Sequence, residues 1–214
     1  MTGVLLAFAV TLGSALVVAV LLDAMRRLTR PAFATVAAAA LCAFALSLAL
    51  RPGSWLVADV LVLAAASVGG RLLAAALRGT PGLVSFLIAA GVVDIVSVYG
   101  GLTGRLIASY RDGTSTLLRY LCIAVPVEGT VKPIVGIGDL LVAATVMTAL
   151  QRLGHTPAAC LLVPLGGLAA ALTVAFTTGF VAALPLLAVT TVAYLAVDAR
   201  VRAGRALVLG DRHG

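Results

Sequence analysis

Two aspartates stand where carboxylates are costly. Asp139 closes Gly136-Ile137-Gly138-Asp139 and begins the apolar run Leu140-Leu141-Val142-Ala143-Ala144, and Asp94 interrupts Val92-Val93-Asp94-Ile95-Val96. A charged side chain near hydrocarbon costs roughly 2.5–3.5 kcal/mol on insertion scales, so each aspartate is a candidate functional group by default. Gly136 and Gly138 carry no side chain and admit a second helix or a substrate backbone. Two carboxylates in close apposition do not both ionise easily, and the pair shares a proton. The charged member then takes a proton from water while the neutral member donates one to a carbonyl oxygen. That is general acid–base hydrolysis of a peptide without a covalent intermediate. The pair implies no metal and no organic cofactor.

The elements that must position these residues are membrane helices. Of 214 residues, 62% are hydrophobic and 11% charged. Several apolar stretches reach the roughly 18–20 residues that cross a bilayer, and the alternation of a membrane barrel is absent. The fold class is an all-α polytopic membrane protein in a single domain. The net charge of +7 does not point to nucleic acid, because the basic residues sit in loops and at the tail, where orientation signals belong. Cys42, Cys122 and Cys160 are scattered without CxxC spacing and indicate neither a disulfide framework nor a zinc site.

Apolar runs punctuated by proline, glycine and arginine predict seven spans, at about 3–22, 32–50, 55–77, 83–101, 135–153, 158–176 and 180–197. Arg78-Gly79-Thr80-Pro81-Gly82 reads as a turn, and Pro185 falls in the first half of the last span. Residues 102–134 form an extracytoplasmic loop. Within it, 117–126 is apolar but too short to span, and reads as a re-entrant or strand-like segment. Residues 199–214 form a mobile basic tail. His155, in a turn beside Arg152, reads as a solvated residue.

With seven spans, one side receives Arg26, Arg27, Arg30, Arg78, Arg152, Arg200, Arg202, Arg205 and Arg212. The other receives Arg51, Arg105, Arg111, Arg119 and Lys132, mostly in its longest loop. The positive-inside rule puts the N-terminus outside and the C-terminus in the cytoplasm. Asp94 then lies about 10 Å before the outer exit of its span at 1.5 Å per residue. Asp139 is a turn into the next span from the same side, at comparable depth. Asp59, in the outer third of the third span, is a rival partner, although an interfacial or structural role with Arg51 or Arg71 is its simpler reading.

Three features together resemble the presenilin/signal peptide peptidase family of intramembrane aspartyl proteases: Asp94 in Val93-Asp94-Ile95-Val96-Ser97-Val98-Tyr99-Gly100-Gly101, Gly136-Ile137-Gly138-Asp139 on the next span, and Pro185-Leu186-Leu187 in the last. The resemblance covers roughly 83–194 and looks most like the signal peptide peptidase branch, in a short, microbial-like form. It implies Asp94 and Asp139 as the catalytic pair. Gly136, Gly138, Pro185, Leu186 and Leu187 would line the substrate site. Apart from the resemblance, Tyr99 reads as an interfacial aromatic within reach of the pair, and Tyr99 and Asp59 are the candidate supporting residues. Transmembrane or signal-peptide helices would be the substrates, in a prokaryotic plasma membrane. Segment 117–126 resembles the family's strand-like segment. The chain departs from the pattern at Val93, where the family has tyrosine, at Leu186, where it has alanine, and in having seven spans instead of nine. Prepilin peptidases share Gly-x-Gly-Asp but follow it with a lysine where Leu141 stands here. Two other readings use the same residues: a proton-coupled transporter with the aspartates as a relay, and an inactive membrane scaffold of the same fold.

Overall fold

Away from water, a long apolar run can satisfy its backbone only within itself, and here such runs are helical. The computed structural model describes residues 2–50, 54–114, 116–127, 130–178 and 182–210. In order these form α1 (Thr2–Arg26), α2 (Arg30–Leu50), α3 (Trp55–Ala76), α4 (Gly79–Tyr99), α5 (Leu102–Arg111) and α6 (Leu117–Leu121). Then come β1 (Cys122–Val127), β2 (Thr130–Gly136), α7 (Ile137–Arg152), α8 (Pro157–Thr178) and α9 (Leu184–Gly210). Among the described residues six helices, α1–α4, α8 and α9, are long and apolar enough to cross a membrane. The chain is an all-α polytopic membrane protein, with one small two-stranded antiparallel sheet among the described residues.

The expected span at 135–153 is revised. Its helix, α7, has 16 residues, about 24 Å at 1.5 Å per residue, which is short of a hydrocarbon core roughly 30 Å thick. Residues 130–136 extend as a strand instead of adding the missing turns. By length and composition the candidate spans number six among the described residues, and the expected seventh corresponds to the shorter α7. A helix apolar on all sides is a buried helix, and α7 buries Leu140, Val142–Val146 in sequence, Met147, Ala149 and Leu150. It packs against α1, α3, α4, α8 and α9. Its closest partner is α3, whose Gly70 makes the approach possible. A Cβ at Gly70 would stand 2.8 Å from the backbone nitrogen of Thr145, so any side chain there forces the helices apart.

Other boundaries shift for local reasons. The expected turn at 78–82 is already the first turn of α4, which starts at Gly79 (φ +67°). Pro81 fits there because the first helical N–H groups need no internal partner. Interval 102–134, expected as a loop, contains α5, α6 and most of strands β1 and β2. The strand-like reading of 117–126 holds for its second half; its first half is α6. β1 and β2 pair antiparallel from Cys122↔Gly136 to Val127↔Thr130, with an irregularity between Ile123 and Ala124. That break sits where Ala124 faces Pro133, and proline, lacking an N–H, is tolerated at edges and bulges. The basic tail is not a separate segment, since α9 continues through Gly210. Residues 211–214 and Arg51 lie outside the described residues. His155 is not solvated: its side chain is 5% exposed. Its Nδ1 lies 3.0 Å from the Tyr194 hydroxyl and 3.6 Å from Asp198, which pairs with Arg202 at 2.7 Å. Gly154, at φ +79°, turns the chain back onto α9 at this point.

Candidate active site

Asp139 owes its position to the junction of β2 and α7. Gly136 is the last residue of the strand and the N-cap of the helix, and its N–H donates to Asp139 Oδ2 at 3.3 Å. A carboxylate in the first turn also meets the positive end of the helix dipole. Glycine has no side chain to complete a reciprocal capping box, so Asp139 alone makes this cap.

Asp94, in the last turns of α4, is held by a different helix. Its Oδ2 accepts the Leu184 N–H at 3.0 Å, and the Ala183 backbone also hydrogen-bonds to it. These are orphan donors at the start of α9, and the next residue, Pro185, has no N–H to offer. Asp94 therefore caps α9 from α4. Gly91, one turn earlier on α4, accommodates the Pro185 backbone and ring: a Cβ there would lie 3.5 Å from Pro185 Cα, an ordinary contact that a larger group would exceed.

The two aspartates line one cavity of about 650 Å³ and are close enough to interact electrostatically. The lining is mostly apolar and is drawn from α1, α4–α8, both strands and Ala183. Each carboxylate has a backbone N–H on its Oδ2. Such an arrangement fixes both groups while leaving acid–base capacity toward the cavity.

Of the other candidate residues, Gly136 lines the cavity. Gly138 is exposed, with open space where a Cβ would stand. Pro185, Leu186 and Leu187 are not in the lining. Pro185 packs on Gly91, and Leu187 is fully buried, its carbonyl accepting the Thr191 hydroxyl at 2.8 Å. Pro185 stands in the first turn of α9, where a proline's missing N–H costs no internal hydrogen bond. Tyr99 is 68% exposed and outside the cavity. Asp59 is also outside it. Its Oδ1 accepts the Ala124 N–H at 3.1 Å, tying β1 to α3, and it also interacts electrostatically with Arg119. Arg71 instead stacks on Phe33, 4.5 Å from the ring centroid.

Sequence reasoning missed several contributors. Thr11 of α1 lines the cavity, and its buried hydroxyl has no hydrogen-bond partner among the described residues. Thr103 also lines it, its hydroxyl 2.6 Å from that of Ser97. A single threonine in an apolar run is common enough that neither residue stands out in the sequence, and only the fold shows that the Thr11 hydroxyl is unpaired and that Thr103 meets Ser97. The Ala183 and Leu184 N–H groups carry no side-chain signal at all. Family models, curated proteins and solved structures all return no match to this chain.

Proposed function

We propose that the chain is an intramembrane aspartyl endopeptidase with Asp94 and Asp139 as its catalytic residues. The observation that carries this reading is the shared cavity, into which two helices each bring a backbone-anchored carboxylate. The pair shares one proton. The ionised member takes a proton from a water as its oxygen attacks the peptide carbonyl, and the neutral member donates its proton to the carbonyl oxygen. The tetrahedral diol collapses with proton transfer to the leaving nitrogen, releasing a carboxylic acid and an amine and restoring the shared proton. The low-polarity lining strengthens each electrostatic contact.

The substrate is a transmembrane or signal-peptide helix, whose carbonyls must leave their own hydrogen bonds before attack. The β1–β2 pair beside the cavity offers the unwound segment a strand to pair with. The bundle crosses a prokaryotic plasma membrane with α7 counted as a seventh, protein-enclosed crossing. The N-terminus is outside and the C-terminus cytoplasmic, in keeping with the arginine distribution. The functional reading draws on the resemblance to presenilin and signal peptide peptidase in the residues around Asp94, Asp139 and Pro185.

Cleavage of a signal-peptide and a single-span reporter by purified protein in liposomes tests this. Losing the general acid or base removes roughly 10²–10⁴-fold in rate, so Asp94→Asn and Asp139→Asn should each abolish detectable product. Activity surviving either change overturns the dyad. A wild type that cleaves nothing but supports proton-dependent uptake into vesicles is a transporter.

A further inference from the structure

A second cavity, of about 350 Å³, lies at the end of the bundle where α1, α3 and α7 finish. Its polar lining is Arg26, Arg71, Thr148, Gln151 and Arg152, beside the apolar Leu22. Three cations from three helices converge there, and no carboxylate is in the lining. Asp23, the acid nearest Arg26 in sequence, is turned to Arg27 in an exposed ion pair at 2.9 Å. The Arg26 and Arg71 guanidinium groups are close enough to repel one another. Arg152 donates one N–H to the Ala74 carbonyl, and Arg71 is steadied over the Phe33 ring by a cation–π contact. The Thr148 hydroxyl is buried and has no hydrogen-bond partner among the described residues.

Like charges gathered around a void, with an unanswered hydroxyl in its wall, are arranged for an anion that is not a protein side chain. Planar guanidinium forks match the paired oxygens of phosphate, and a threonine hydroxyl and a glutamine amide supply neutral donors. We propose that this cavity binds a phosphate group, carried by an anionic lipid headgroup or by a free phosphate. The site is separate from the aspartate cavity, with which it shares no lining residue. Arg27, Arg30 and Arg78 fall in or beside the α1–α2 and α3–α4 connections at the same end of the bundle, and clustered positive charge enriches anions.

The test is thermal unfolding and native mass spectrometry of the full chain in neutral detergent. The probes are inorganic phosphate, short-chain phosphatidylglycerol, and diacylglycerol of the same chain length. Stabilisation and retained adducts with phosphatidylglycerol but not phosphate assign the site to a lipid headgroup, and a response to both assigns it to phosphate in general. Charge-assisted hydrogen bonds are the stronger class, so Arg26→Gln or Arg71→Gln should weaken binding roughly tenfold or more. Thr148→Val, close to isosteric, should weaken it by several-fold and keeps the test open if an arginine variant fails to fold. No response to either phosphate probe overturns the proposal. So does an equal response to diacylglycerol, or binding unchanged in both the arginine and Thr148 variants.

Discussion

At the scale of single residues, the aspartates differ in what they hold as much as in where they stand. Asp94 and Asp139 each accept a backbone N–H and face a cavity, whereas Asp59 uses its carboxylate to hold a strand. Asp59→Leu leaves the Ala124 N–H without an acceptor. A buried donor left unpaired costs about 1–3 kcal/mol. We expect a lower unfolding midpoint and faster hydrogen exchange at the Ala124 amide, with Asp59→Asn, which keeps an acceptor, close to wild type. Equal exchange in all three proteins would contradict the anchoring role. Apolar context marks all three aspartates in the sequence. What it cannot mark is their partners, because a backbone N–H donor has no residue type.

At the scale of elements, close approach is bought at two glycines that are not in the Gly-x-Gly-Asp motif. Gly70 lets α3 lie against α7. Gly70→Val must separate the two helices, and overpacking of this kind costs typically 1–3 kcal/mol. Denaturation in mild detergent should report that loss. Gly91 behaves differently, since its nearest neighbours leave room for one methyl group. Gly91→Ala should fold and cleave normally. Gly91→Val should push Pro185 away and draw the Leu184 N–H off Asp94. Its signature is reduced kcat with little change in unfolding midpoint, and loss of both together would assign Gly91 to packing alone. The expected spans matched helix ends to within a few residues, except that α9 runs on to Gly210 and that α5 and α6 lie where a loop was expected. The start of α9 was not legible, because a proline inside an apolar run is equally compatible with a kink and with a first turn, and only the Asp94 contact decides between them.

At the scale of the whole molecule, α7 is enclosed by five other helices, and both candidate catalytic groups open onto a cavity drawn from most of the chain. A dyad that needs one acid and one base is inactive when both carboxyls are protonated and again when both are ionised. Cleavage should therefore follow a bell-shaped pH profile, measured as kcat/KM on a reporter lacking ionisable groups near the scissile bond. A single ascending or descending limb would mean that one of the two carboxylates takes no part.

The apolar runs and their arginine-marked ends determine by themselves that the chain is a helical membrane protein. They also determine that a carboxylate at 94 falls inside an apolar run and one at 139 begins another, because transfer energies depend on composition and length alone. The tertiary structure decided the rest. Residues 122–127 and 130–136 pair as antiparallel strands because their hydrogen bonds close across the chain, not along it. α7 is short and central because its neighbours, not its length, exclude water from it. Asp94 meets the start of α9, ninety residues away in sequence, because an uncapped helix end and a buried carboxylate each lack the partner that the other provides.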